Sequence, residues 1–481
     1  MLNQTRCMRP VFPDARLSHP IPLQHRVKFD WIMDIKSLKR SLVLVLWSTL
    51  ASAETFAAAN TGKLNLQQAV ELAFERNPNL QAAAERIGQA EAQVAEATAA
   101  FYPKLTGRLG YSYSNDPAMA FSYIVSQRRF NSGHFENINQ PGFVENFRPE
   151  LVGSVSLFNG GRDYYRKKAA ELGVEAAELE RSALRNGLAA AVTAAYYASL
   201  AAPKQVDVAR RSIEAVDSEL SHAKLMHQEG ALLKSEVLSL EVRKSQARET
   251  ELRTLNAVTL TRSGLKTLLG LSAGDALEIA ESGTEATAQP VDDLQPLLSE
   301  ALAQRPEMQA AARQVEVRQE ELRAEQGGHL PRVNAYAAYG LNERSPEFNF
   351  KRDNLTLGVN AEVDLFSGGA TSARVSGARR KLAEAEALRE KTRLEIEGEV
   401  QKAQATLSEA MARRQVAEAA TTSAEEALRL VHEQYRGGTA TVTRYLEAEA
   451  DRAAAQMRAV TARYDAQVAR ATLQKATGFW K

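Results

Sequence analysis

The chain is poor in cysteine, in aromatic residues and in net charge. Cys7 is the only cysteine among 481 residues, so a disulfide bond within one chain is excluded. Aromatic residues make up only 6% of the sequence and alanine is abundant, a composition that suits long helices packed closely side by side. The 60 lysines and arginines balance 59 acidic residues to a formal net charge of +1, so no nucleic-acid partner is indicated.

Long apolar runs are also missing. The strongest, residues 41–50, is shorter than the roughly 17–25 residues that a membrane-spanning helix needs. It follows basic residues in 36–40 and precedes the small residues 51–53, a pattern typical of a secretory signal, with a membrane anchor as the alternative. We therefore assign residues 1–53 to an N-terminal extension and signal peptide, with translation starting at Met33. An exported chain of this kind is periplasmic, secreted, or inserted in an outer membrane as strands.

Motifs for catalysis are missing as well. The sequence has no G-x-S-x-G nucleophile motif and no Gly-rich phosphate loop between a strand and a helix. His222 and His227 are five residues apart, and this spacing does not place two metal ligands on one face of a helix. An enzyme is therefore not indicated, and neither a metal nor another cofactor is expected.

What the chain does have is a long internal duplication. Residues 154–161 read S-V-S-L-F-N-G-G and residues 362–369 read E-V-D-L-F-S-G-G, with an offset of 208. Constant offsets held by glycine, leucine and proline indicate two copies of one unit rather than chance similarity of alanine-rich helices. The pairs at offset 208 are Gly230 and Gly438, Leu238 and Leu446, and Gly270 and Gly478; those at offset 228 are Leu66 and Leu294, Pro78 and Pro306, and Pro103 and Pro331.

The two copies divide the chain into tandem repeats. We place the first repeat at residues 60–273 and the second at residues 288–481. The difference between the offsets, 228 minus 208, gives the first repeat 20 extra residues, and they fall between Pro103 and Leu157. This position predicts an insertion in a loop, where added residues cost little stability.

Each repeat changes its hydrophobic period from helical to alternating. Residues 65–101 have helical spacing, interrupted at Asn77-Pro78, before the alternation begins. The alternation predicts a β-hairpin at about 104–158 in the first repeat, with a long loop at 115–147, and a β-hairpin at about 332–366 in the second. The alternating stretches are 105–113, 151–157, 333–341 and 355–365.

Helical spacing returns after each Gly-Gly pair and persists. Residues 163–228 and 372–435 predict helices of about 65 residues, on the order of 100 Å long, with Pro203 expected to kink the first. Each ends at a glycine turn, and a return helix then runs to Gly270 or Gly478. Such lengths are typical of coiled-coil packing rather than of an ordinary globular domain.

The alternating stretches match strands that cross a bilayer, which take about 9–11 residues. One face of each is apolar and the other polar, as expected between lipid and water; a small soluble sheet beside a helical domain is the alternative. Four strands cannot close a barrel, since even about eight leave an interior filled by side chains. Because lipid does not tolerate open sheet edges, several chains must share one barrel, and the long helices continue its wall.

This architecture closely resembles the TolC family of outer-membrane efflux proteins. The resemblance covers residues from about 60 to 481 and rests on the duplication, the L-F-x-G-G segments at 157–161 and 365–369, and the two glycine turns. It implies a homotrimer whose strands form a twelve-stranded barrel in outer-membrane lipid of a Gram-negative bacterium. It also implies an α-helical periplasmic tunnel that serves as the exit duct of an inner-membrane pump, docked through a periplasmic adaptor.

The resemblance further implies a gate and a docking surface at the helical tip. Family members narrow the periplasmic entrance with acidic residues just after the glycine turn, where this chain has Glu236, Arg444 and Glu447. Arg444 departs from the family's frequent aspartate, so we expect a mixed ring that closes by ion pairs between neighbouring chains; solvated helix-face charges are the alternative. The adaptor-docking turns contain Gly230, Ser235, Leu238, Gly438, Thr443 and Leu446.

The Gly-Gly pairs are expected where the barrel wall turns into the tunnel wall. Two glycines relieve the steric limits on such a turn, so these segments are predicted to be structural joints rather than binding sites. The joint residues are Phe158, Gly160, Gly161, Phe366, Gly368 and Gly369.

Three functions fit these features. The first is the exit duct of a tripartite efflux system, which passively conducts substrates from an inner-membrane pump. The second is the outer-membrane channel of a type I protein secretion system. The third is a periplasmic coiled-coil scaffold or adaptor. The residues indicate neither the substrate nor the type of pump, because a wide water-filled duct makes few specific contacts.

Overall fold

The computed structural model describes residues 63–281 and 293–480, and the predicted signal segment therefore lies outside the described residues. The helices are α1 (Leu66–Arg76), α2 (Pro78–Ala99), α3 (Pro117–Ser126), α4 (Arg162–Gln228), α5 (Lys234–Leu268), α6 (Leu294–Gln304), α7 (Pro306–Gln326), α8 (Ala370–Arg436) and α9 (Val442–Thr477). The strands are β1 (Lys104–Ser114), β2 (Val144–Asn159), β3 (Arg332–Leu341) and β4 (Asp353–Glu362).

Apart from α3, which lies only in the first hairpin, the two repeats have the same order of helices and strands: two helices, a strand pair, a very long helix and a return helix. Helices α4 and α8 each contain 67 residues, or about 100 Å at 1.5 Å per residue. Helix α4 runs through Pro203 without interruption. In the described part of the chain, no helix is both long and apolar enough to cross a membrane.

The break between α1 and α2 follows from two residues. Asn77 has extended backbone, its side-chain oxygen accepts a hydrogen bond from the Asn79 amide at 2.9 Å, and Pro78 opens α2. Proline fits the first turn of a helix, where its missing N–H is not needed. The Asn77 side chain also donates to the Leu268 carbonyl at 2.9 Å, which ties the break to the end of α5.

The four strands form one antiparallel sheet in the order β1-β2-β3-β4. Opposed residues share a face, and the register places Leu109 beside Pro149, and Leu151 beside Tyr339, on the apolar face. The other face carries polar side chains, among them Arg108 opposite Glu150. The predicted two-faced sheet is confirmed, and within the described residues β1 and β4 are its unpaired edges.

The packing of the helices depends on alanine. Buried alanines recur along the long helices, including Ala403 and Ala410 of α8 and Ala466 and Ala469 of α9, which share one apolar cluster. One larger side chain, Tyr196 of α4, is buried in the first repeat, and its hydroxyl donates to the Ala280 carbonyl at 2.5 Å. Small side chains let helix axes approach closely, so the low aromatic content and the long side-by-side helices have one cause.

Two predicted boundaries were wrong. Residues 115–147 are not a plain loop, because they contain α3 and a 3-10 turn, and β2 already begins at Val144. Asp116 caps α3 by accepting a hydrogen bond from the Met119 amide at 2.8 Å. In the second hairpin β4 ends at Glu362, so the alternation at 363–365 continues beyond the paired strand.

Candidate functional site: the helical tip and the joints

The tip of the molecule is formed by the two glycine turns. Gly230 and Gly438 both have left-handed backbone, with φ of 77° and 75°. Equivalent backbone hydrogen bonds end the two long helices. The Ala231 amide donates to the Met226 carbonyl at 2.9 Å, and the Thr439 amide donates to the Gln434 carbonyl at 2.9 Å. The two repeats therefore end in nearly identical turns, a geometry that glycine adopts without strain.

The side chains of the predicted docking turns differ between the repeats. Leu238 is 48% exposed, whereas the equivalent Leu446 packs against a buried cluster that includes Val237 and Val442. Ser235 and Thr443 are both exposed. The leucine of the first turn is thus exposed to solvent, whereas the equivalent leucine of the second turn points into the apolar cluster.

The predicted gate residues form one contact within the chain. Arg444 lies 3.3 Å from Glu447 in an i, i+3 ion pair on α9, and both side chains are more than half exposed. Glu236 lies in the first turn of α5, and its charge acts on Tyr435. The described contacts bring Arg444 and Glu447 together and do not join either to Glu236. Whether the three close a ring across neighbouring chains stays a prediction.

His227 lies at the turn between α4 and α5. Its ring nitrogen Nδ1 lies 2.8 Å from the Leu232 carbonyl oxygen and so bridges the turn between α4 and α5. In the described ranges, no group of three or more metal-ligating side chains is positioned to hold an ion.

A buried polar cluster, which the sequence does not predict, lies behind the predicted gate residues. Glu449 is fully buried and pairs with Arg452 at 2.6 and 2.9 Å. Glu219 of α4 is 7% exposed and lies 3.7 Å from Nε2 of His432 on α8. Only the i, i+3 spacing of Glu449 and Arg452 could have been read from the sequence, because the other contacts join separate helices.

The aromatic members of this cluster carry shifted acidities. Tyr435 and Tyr445 stack with ring centroids 5.7 Å apart. Burial raises the pKa of Tyr435 to about 12, and the charge of Glu219 adds to the shift. Burial also raises the pKa of Tyr445, with the Glu449 carboxylate contributing. The fold therefore stabilises both phenols in the neutral form.

We expect the heat stability of the protein to fall in strong base through this cluster. The pKa of Tyr435 in the folded state, about 12, exceeds its ordinary value of 10.0, so its contribution is complete below pH 10 and is lost as the pH approaches 12. Thermal melts across this range test the sign: Tyr435→Phe should flatten the decline, while Tyr164→Phe, at an exposed tyrosine far from the tip, should not. Parallel declines in all three proteins would contradict this assignment.

The strand-to-helix joints share one backbone but differ in their surroundings. Gly160 and Gly368 both have φ of 62°. A Cβ atom on Gly160 would lie 2.1 Å from the Gly327 carbonyl oxygen, whereas a Cβ atom on Gly368 would meet nothing within 4 Å in this chain. Phe158 is 46% exposed and Phe366 90% exposed. The first joint is thus covered by the second repeat, and the second joint is open.

Comparison with solved structures identifies the fold. The structure superimposes on a membrane protein from Pseudomonas aeruginosa with a TM-score of 0.75, 22% identity, and coverage of 86% of this chain and 93% of the other. It superimposes on the CmeC outer membrane channel of Campylobacter jejuni with a TM-score of 0.75, 18% identity, and coverage of 86% and 85%. These likenesses show that the chain has the fold of a solved outer membrane channel.

Sequence comparison identifies relatives and a family. The alkaline protease secretion protein AprF of Pseudomonas aeruginosa is 25% identical over 320 residues, which is 64% of this chain and 63% of AprF, less than two thirds of its length. Protein CyaE of Bordetella pertussis is 24% identical over 363 residues, 73% of this chain and 70% of CyaE. The model of the outer membrane efflux protein family matches residues 69–271 and 297–479, which cover both repeats, and the chain therefore belongs to this family.

Proposed function

We propose that this chain is the exit duct of a tripartite efflux system, conducting substrates passively from an inner-membrane pump through the periplasm and outer membrane. One observation carries the proposal: each hairpin of a four-stranded sheet with an apolar and a polar face connects to a 67-residue helix, through residues 160–161 in the first repeat and 363–369 in the second. A lipid-facing wall is thereby joined to a wall about 100 Å long, the dimension of a periplasmic tunnel rather than of a soluble domain.

The outer membrane is the location of this family, and the helices extend from it into the periplasm. The open edges of β1 and β4 support a homotrimer, because backbone groups that lack a partner are not tolerated in lipid. Three copies would supply twelve strands, enough to enclose a lumen. The open second joint at Gly368 supports the same assembly, since a neighbouring copy could cover it as the second repeat covers Gly160.

The partners in this proposal are a periplasmic adaptor and an inner-membrane pump. The helical tip is the docking surface, because the glycine turns expose Ser235, Leu238 and Thr443 at the end of the molecule farthest from the sheet. Glu236, Arg444 and Glu447 line the entrance beside this surface and act as the gate. An adaptor bound at the turns would then contact α5 and α9, the helices that carry the gate residues.

A second candidate is the outer-membrane channel of a type I secretion system. The name of AprF, an alkaline protease secretion protein, supports it. Deletion of the gene separates the two: an efflux duct is expected to leave cells sensitive to small toxic compounds, and a secretion channel to remove a protein from the culture medium. Loss of one secreted protein with unchanged sensitivity would favour the second candidate.

The experiment that tests the duct itself is membrane fractionation. We expect the protein in the detergent-solubilised outer membrane as a trimer that heating dissociates into monomers. Recovery as a soluble periplasmic protein would overturn the proposal and favour a coiled-coil scaffold or adaptor.

A further inference from the structure

The outer ends of the two hairpins are built differently. The connection between β3 and β4 spans residues 342–352, while that between β1 and β2 spans 115–143 and contains α3. Since the second repeat closes its hairpin with the shorter connection, the longer one is not needed to form a strand pair. We refer to residues 115–143 as the cap.

The cap packs on the polar face of the sheet. Ala120 and Ile124 of α3 form an apolar cluster with Val144 of β2. Val144, Asn146 and Arg148 are two residues apart along β2 and therefore share one face of the sheet. This is the polar face, because Ser114 is opposite Val144 and Ser112 is opposite Asn146. Helix α3 therefore folds over the polar face, and only the end of the cap reaches the apolar face, where Phe143 stacks on Tyr113 with ring centroids 4.6 Å apart.

A buried amide ties the cap to both hairpins. Gln127 is fully buried; its Nε2 donates to the Glu145 carbonyl at 2.7 Å and to Oδ1 of Asn146 at 3.1 Å, and it also lies 3.4 Å from the Glu343 carbonyl oxygen. Asn146 in turn donates to Oδ1 of Asn342 at 3.2 Å. One side chain thus links the insertion of the first repeat to the hairpin tip of the second.

The next residue shows how firmly this arrangement is held. Arg128 is, among the described residues, the one non-glycine residue with positive φ, at 54°. Its guanidinium donates to the Asp353 carbonyl at 3.0 Å, again across to the second hairpin. Left-handed backbone in arginine is unfavourable and persists only where surrounding contacts fix it, so the turn that directs Gln127 inward is specified by its contacts.

We propose that the cap is a selectivity element that narrows the outer mouth of the duct and limits the size of what leaves, with Gln127 as its positioning residue. The inference rests on the proposed function, in which the polar face lines the lumen. Three caps around a trimer would each reach inward from the rim over the same opening.

Access from outside the cell tests the cap. Ser154→Cys places a thiol on the polar face of β2, opposite Lys104 near the tunnel end of the sheet, where it is reached from outside only through the mouth. In intact cells a small maleimide should label this thiol and a bulky maleimide-polyethylene glycol should not. Adding Gln127→Ala should make labelling by the bulky reagent several-fold faster, whereas adding Met119→Ala, at an exposed cap residue, should change nothing.

A second variant guards against misfolding of the first. Replacing residues 117–142 with a short Gly/Ser linker removes the cap and keeps both strands, as in the second repeat. If the bulky reagent labels the thiol equally with and without the cap, the proposed selectivity role of the cap is wrong, while the proposed duct function is unaffected. If even the small reagent fails to label the thiol in every variant, both the proposed duct function and the proposed role of the cap are wrong.

Discussion

Alanine at Gly160 should prevent stable folding of the joint between sheet and tunnel. The substituted Cβ atom would lie 2.1 Å from the Gly327 carbonyl oxygen, and both contacting groups are backbone, so no side chain can rotate away. The left-handed φ of 62° adds about 1–2 kcal/mol for any side chain and overpacking adds about 1–3 kcal/mol, so we expect a loss of about 2–5 kcal/mol. Thermal melts and the yield of folded protein measure this loss.

Two matched glycines make the test specific. Gly173 lies within α4 with open space around it, and its alanine variant should be unchanged or about 0.5–1 kcal/mol more stable. Gly368 has the same φ as Gly160, but no atom of this chain lies within 4 Å of the position of its Cβ atom. Within one chain Gly368→Ala should therefore cost only about 1–2 kcal/mol of backbone strain, and any further loss should appear in trimer assembly. A Gly160→Ala protein that melts with the parent would contradict the close packing at this joint.

The sequence was informative wherever a local rule set the structure. Pro78 and Pro306 begin helices, and Gly230 and Gly438 end them, because few other residues fit those backbone conformations. The strands could be predicted because alternating polar and apolar residues require only that a strand has one polar face and one apolar face. The cap was missed because α3 is almost entirely apolar and shows no helical stripe, although Asp116-Pro117 is a start signal for a helix.

At the tip, local sequence patterns predict the positions of residues but not the contacts between separate helices. The positions of Glu236, Arg444 and Glu447 followed from the glycine turns, but the cluster behind them depends on which faces of α4, α8 and α9 meet. Glu219 and His432 are 213 positions apart in the chain, 432 minus 219, and no local pattern pairs them. The same holds for Gly160 and Gly327, whose contact appears only once the two repeats are packed together.

Removing the charge of Arg444 or Glu447 should raise the resting conductance of the channel several-fold. Arg444 lies in the first turn of α9, where the helix dipole favours an acidic residue, so arginine here does not serve the stability of its own helix. Its exposed pair with Glu447 is worth only about 0.2–0.5 kcal/mol within one chain. Three copies brought together at the entrance could instead pair each Arg444 with an acidic residue of a neighbouring chain.

Planar-bilayer recordings of Arg444→Ala and Glu447→Ala decide between a gate and a solvated helix face. The matched control is Arg253→Ala, which removes an exposed arginine from an intrahelical pair with Glu249 on α5, away from the tip. The double variant Arg444→Glu with Glu447→Arg keeps the charges and exchanges their positions, and it should stay closer to the parent than either alanine variant if opposite charges close the ring. Resting conductance unchanged in both alanine variants would leave Arg444 and Glu447 as solvated charges on the helix face and would contradict the gate.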